Sequence, residues 1–303
     1  MRLPIPLLCA SVLFVVQGQV PAVKPGEKPA EPVRLTPLRT SPLAILTQDI
    51  GISSIKLTFN RPAVKGRIVW GDLVPFGQVW RAGANAATTI TFSDPCKVAG
   101  KDVPAGTYAF FAIPGPSRWT LIFSRKSVQW GAYSYDAKDD LLRFEVSPES
   151  VPYEDWLNYH LRLTGEDSAR IELSWESLRV GFPVVFDTKA IYWKHLESKL
   201  ASAPDTDWVP WYQAADYCQK QGIQRDLAST WIDKSLKAGT SFWNQETKAR
   251  IMRWRGDAPE SVVWLEKAIQ TARNLPTDKQ PPKEWFTDKE RELAEWKAGV
   301  KGS

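Results

Sequence analysis

Hydrophobic and polar positions follow one rule up to about residue 186 and another beyond it. Between Ile45 and Val185, short β-branched or aromatic runs are separated by Gly, Pro, Asn and Asp, the punctuation of strands and turns. They predict strands near residues 52–59, 66–70, 88–92, 107–113, 119–123, 141–146, 157–164, 169–175 and 180–185. Alternation sets faces: Leu142, Phe144 and Val146 point one way while Arg143 and Glu145 point the other, and Ile171, Leu173 and Trp175 share a side. A parallel sheet would need crossover helices, and no helical stretch of useful length interrupts the strands. The pattern therefore predicts an antiparallel β-sandwich over residues 43–186.

At Asp187 the period becomes helical. "DTKAIYWKHLESKLASAP" lines up Ile191, Leu196 and Leu200, opens on Asp187 as an N-cap and stops before Pro204. Superposing 226–236 on 259–269 places Trp231 on Trp264, Ile232 on Leu265, Lys234 on Lys267 and Leu236 on Ile269. That offset is close to the ~34 residues of tetratricopeptide repeats. Small residues recur at Ala228, Ser235, Ser261 and Ala268, and Asp257 with Glu260 forms a capping-box pattern. A last helix near 287–297, with Thr287 and Glu290 as a second such box, is expected to seal the stack. Residues 187–303 thus read as a small α-helical, tetratricopeptide-like repeat region, and the fold class as mainly β plus α.

The N-terminus changes the picture of where the protein works. "MRLPIPLLCASVLFVVQGQ" has one cation, a short Pro-interrupted apolar run and small or polar residues near Gly18. This is the layout of a secretory signal peptide over residues 1–18, removed after Gly18, and too short to span a bilayer. Residues 19–42 carry prolines at 21, 25, 29, 32, 37 and 42 and read as an extended linker. The expected product is periplasmic or secreted, with no transmembrane segment. Cys96 and Cys218 then remain, in different regions; they can be two small buried residues or a pair. A formal charge of +5 without a basic stripe argues against nucleic acid as partner.

Candidate chemistry is sparse. The two histidines, His160 and His195, lie in different regions, so neither a histidine-based triad nor a histidine-rich metal site is readable. There is no Walker loop, no GxSxG elbow and no Gly-rich fingerprint after a strand. Acid pairs such as Asp139 and Asp140 sit in turns, where they solvate the chain. No catalytic residue, metal ligand or cofactor is assigned.

Several literal phrases stand out instead: "RPAVKGRIVWGDLVPFGQVWRAGANAATTITF", "VPAGTYAFFAIPG", "WTLIFS" and "QWGAYSYD" followed by "DLLRFEV". In this order they resemble the bacterial family known as domain of unknown function 2911, over about residues 48–185. The resemblance implies an exported β-rich domain and brings no activity. Members commonly show Glu where this chain has Ala86, so a role resting on that carboxylate is not expected here.

Within "WRAGANAATTITF", Gly83, Ala84, Ala86 and Ala87 permit a tight turn and close approach, and Gly and Asn85 tolerate left-handed geometry. Arg81 is placed either to tie loop carbonyls or to line a pocket, with Trp80 packed beneath it. The candidate ligand-binding set is Trp80, Arg81, Asn85 and Thr88, joined by the aromatics Trp130, Tyr133 and Tyr135. The expected function is non-catalytic binding of a small molecule, glycan or peptide, with the helices as a protein-partner surface. A cell-envelope hydrolase and an envelope scaffold are the alternatives.

Overall fold

A computed structural model describes residues 38–301. The signal peptide expected at 1–18 and most of the linker expected at 19–42 lie outside the described residues. Strands β1 (Leu43–Ile50), β2 (Ser53–Asn60), β3 (Thr88–Phe92), β6 (Gly106–Ile113), β7 (Trp119–Ser124) and β8 (Asp140–Val146) form one sheet in that spatial order. The hairpin β4 (Cys96–Val98) and β5 (Lys101–Val103) joins β9 (Glu149–Leu163) and β10 (Ser168–Phe186) in a second, ordered β5-β4-β10-β9. Every pairing is antiparallel, and the inner faces share one core containing Leu57, Ile90, Phe110, Phe123, Leu173 and Phe182.

The long strand β10 is two strands in one. Glu176 takes a left-handed φ of 57°, and the chain folds back there: Phe186 at the far end donates its amide to Asp167 at 2.8 Å. Parity records the fold. Ile171, Leu173 and Trp175 are buried before it, and Val180, Phe182, Val184 and Phe186 after it; the parity switches where the pairing with β9 slips, between Ser174 and Leu178. On the outer face Glu172 is buried too, between Arg162 (3.2 Å), Arg170 (3.3 Å) and Arg179 (3.5 Å). The cations and their stems cover a carboxylate that would otherwise be desolvated without compensation.

Three expectations need correction. Residues 66–70 are not a strand: Lys65 and Gly66 have φ of 51° and 68°, two successive left-handed residues that turn the chain, and Trp70 makes only an isolated bridge with Val74. β1, β4 and β5 were not expected; β4 and β5 are three residues each, closed by Ala99 and Gly100 at φ 47° and 80°. The last helix, α6 (Lys283–Lys301), begins at Lys283 and not at Thr287, whose hydroxyl donates to Lys283 O within the helix.

The other helices are α1 (Thr188–Ala201), α2 (Trp208–Gln221), α3 (Arg225–Ala238), α4 (Phe242–Arg255) and α5 (Ala258–Arg273). Asp187 caps α1 through the Ala190 amide, as its position suggested, and Asp257 caps α5 through the Glu260 amide. Glu260 does not complete a box, because its carboxylate accepts from Trp264 Nε1. The reciprocal box is at Ser241 and Asn244 opening α4. Superposed positions of α3 and α5 are buried alike: Ala228 with Ser261, Ile232 with Leu265, Ser235 with Ala268. Ile191 of α1 packs on the sandwich core. Among the described residues no helix is long and apolar enough to cross a membrane.

Candidate functional site

The connection from β2 to β3 carries the site, and backbone pairing explains its position. Trp80 exchanges both main-chain hydrogen bonds with Ala112 of β6 (2.8 and 2.9 Å), so the loop lies along the sheet as an extra short strand. The Trp80 ring, 8% exposed, enters a cluster with Trp70, Trp119 and Trp175 at centroid distances of 5.8, 6.4 and 6.0 Å. Its indole nitrogen donates to Gly83 O at 3.1 Å.

The next residues turn inward. Ala82 has φ 49° and is fully buried, a conformation that costs an L-residue about 1–2 kcal/mol. Its carbonyl accepts from Thr88 Oγ1 at 2.9 Å and from the Tyr159 hydroxyl at 2.8 Å. Burial pushes the Tyr159 phenol well above its ordinary range, so it stays a neutral donor. Left-handed geometry belongs to Ala82 and Asn85 (φ 58°) and not to Gly83. Gly83 is needed for space: a Cβ there would sit 2.8 Å from Thr88 Oγ1 and 3.2 Å from Asn60 O. Asn85 donates to Ser41 O and Asn60 Oδ1.

The second wall is the loop from β7 to β8. It is stitched to the first by Ala87 N to Gln129 O and Gly131 N to Asn85 O, both 3.0 Å. Between them opens a cleft of about 320 Å³, lined by Leu73, Gln78, Val79, Trp80, Arg81, Ala132 and Tyr133 among others. Trp80, Arg81 and Tyr133 of the sequence-predicted set meet there. Asn85 and Thr88 lie in the loop's own bonding. Trp130 is 63% exposed outside the cleft lining, and Tyr135 donates to Asp140 at 2.8 Å while packing on Phe111.

Arg81 does not pin the loop. Among the described residues its side chain has no hydrogen-bond or ion-pair partner, although its main-chain carbonyl accepts from Thr88 N at 3.3 Å, and its Nε is sealed from solvent with no acceptor. Burial pushes its pKa down, and the opposing influence is the phenol of Tyr133; no carboxylate offsets the burial. Thr88, Tyr159 and Trp80 tie the loop carbonyls, one of the two roles open to Arg81 from the sequence.

Gln78, Val79, Leu73 and Ala132 were missed, although they flank Trp80–Arg81 and Tyr133 in the same phrases. A larger cleft of about 850 Å³ was also missed. Cys96, Asp102, Val103, Leu141, Asp167 and Phe186 are among the residues that line it. None of the partnerless buried polar atoms lies in its lining. Cys96 and Cys218 are both buried and free, and burial pushes their thiols up to about 12 and about 11. His160 lies 3.8 Å from Glu154 on the outer face of β9, and His195 lies beside Tyr192.

No curated protein and no solved structure matches the chain. What matches is a family model covering this sandwich and the whole of the loop that carries Arg81: over residues 41–184 the chain is similar to the family described as Protein of unknown function (DUF2911).

Proposed function

We propose that the sandwich is a non-catalytic binding module of an exported protein, holding a small molecule, glycan or peptide in the Arg81 cleft. The helices after Asp187 then offer a partner surface, on which Leu227, Trp243 and Val263 are exposed. One observation carries this reading: a guanidinium stands in a formed cleft with nothing from the described chain to bond it. A native fold rarely leaves a half-buried cation unpaired without a use for it, because desolvation is uncompensated. The cleft volume falls at the small end of the usual range for ligand sites.

The test is Arg81→Leu. A structural arginine would cost about 2–4 kcal/mol on removal, since its partners would be left unpaired. For a binding arginine the melting temperature should hold or rise, the change staying under about 1 kcal/mol. A screen of oligosaccharides, peptides and small acids should find a ligand that wild type binds and the variant does not. A large loss of stability with no ligand found would sink the reading.

A further inference from the structure

The cleft also states what kind of ligand it takes, if it is a binding site as read above. Arg81 is the one charged residue in the lining. The walls are loops, so no helix N-terminus adds positive potential. The site therefore offers a single positive charge, already partly desolvated. A monoanion neutralises it one for one, whereas a phosphate monoester, carrying about −1.5 to −2 at neutral pH, would leave negative charge buried without a second cation.

Geometry narrows the anion further. Among the described residues Nε is sealed and partnerless, while the two Nη atoms are equally without partners but not sealed. An anion must approach the guanidinium end-on, where paired N–H groups match the two oxygens of a carboxylate. Beyond that fork the walls are Leu73, Val79, Ala132 and the ring of Tyr133, with Gln78 and the Tyr133 hydroxyl as unpaired neutral polar groups. The volume of about 320 Å³ equals roughly ten water molecules, enough for one ring or a short branched chain.

We propose that the Arg81 cleft binds the carboxylate of a compact organic acid, with its apolar or ring body against Leu73, Val79 and Tyr133. The probes are 3-phenylpropanoate, its amide, phenethyl phosphate and glucuronate, added to the full chain with ¹⁵N-labelled indoles. Phenylpropanoate should shift the Trp80 indole resonance and bind at least tenfold more tightly than the amide. The phosphate should bind no more tightly than the carboxylate. Glucuronate should bind more weakly than phenylpropanoate; the reverse order would overturn the apolar body and favour an acidic sugar. Gln78→Glu changes an exposed residue, so it should leave the melting temperature in place while weakening phenylpropanoate several-fold. Arg81→Lys should retain part of the binding that Arg81→Leu loses.

Equal binding of acid and amide, tighter binding of the phosphate, or no binding of either carboxylate overturns the proposal. If neutral oligosaccharides bind through Arg81 while carboxylates do not, the ligand class fails and the binding reading stands. If nothing binds and Arg81→Leu costs several-fold in folding equilibrium, both fail.

Discussion

The Ala82 carbonyl provides a direct measure of how the cleft loop is held. It is fully buried, it belongs to a residue at φ 49°, and it accepts two hydrogen bonds, from Thr88 Oγ1 and from the Tyr159 hydroxyl. Tyr159→Phe keeps the ring and its edge contact with Phe59 at 4.6 Å; Thr88→Val keeps the shape. Either change alone removes one bond and leaves the carbonyl one donor, so each should cost about 1 kcal/mol. Together they orphan a buried carbonyl, which adds about 1–3 kcal/mol of uncompensated desolvation. The double variant should therefore lose about 3–5 kcal/mol, exceeding the sum of the singles by at least about 1 kcal/mol. Thermal melts followed by near-ultraviolet circular dichroism of the tryptophan cluster read this out, at about 2–4 °C per kcal/mol for a chain of this size. Strict additivity would refute the account, because it would mean that the two hydroxyls do not share one acceptor.

Gly83→Val should destabilise by about 2–3 kcal/mol and Gly83→Ala by less, because any Cβ meets Thr88 and the Asn60 carbonyl; a neutral Val variant in a urea melt would show that the loop is not closely packed. Glu172→Gln should cost about 3 kcal/mol by leaving three arginines without their shared buried carboxylate, while Arg162→Gln, whose side chain is 62% exposed, should cost under about 1 kcal/mol; equal losses would mean the cluster is merely a surface network. Stability should be flat near neutrality and fall as pH rises above about 9, since the Cys96 and Cys218 thiols, ordinarily at 9.0, lie at about 12 and about 11 in the folded chain. Across that window the native state holds more protons than the unfolded one, so the slope is negative. Urea midpoints at pH 7, 9 and 10.5 check it, with a rising midpoint as the contrary result and a flatter slope expected for Cys96→Ala.

The antiparallel β class, the change to helix at Asp187, and the left-handed backbone of Asn85 within the segment from Trp80 to Thr88 were legible from the sequence. Alternation of period two reports which side of a strand meets the core, and caps are local chemistry of a few neighbouring residues. What escaped depends on partners distant in the chain. β4 and β5 are too short to alternate, and residues 66–70 look like a strand but open in the left-handed turn at Lys65 and Gly66. Part of the cover over Glu172 comes from distant chain, because β10 folds back and brings Arg179 beside it. The placement of Arg81 follows from distant partners too. Composition allowed it either to bind loop carbonyls or to face a pocket, but Thr88 and Tyr159, a residue 77 positions away, took the Ala82 carbonyl. With that acceptor satisfied, the guanidinium was left to the cleft, an outcome set by tertiary competition for hydrogen-bond partners that no local pattern records.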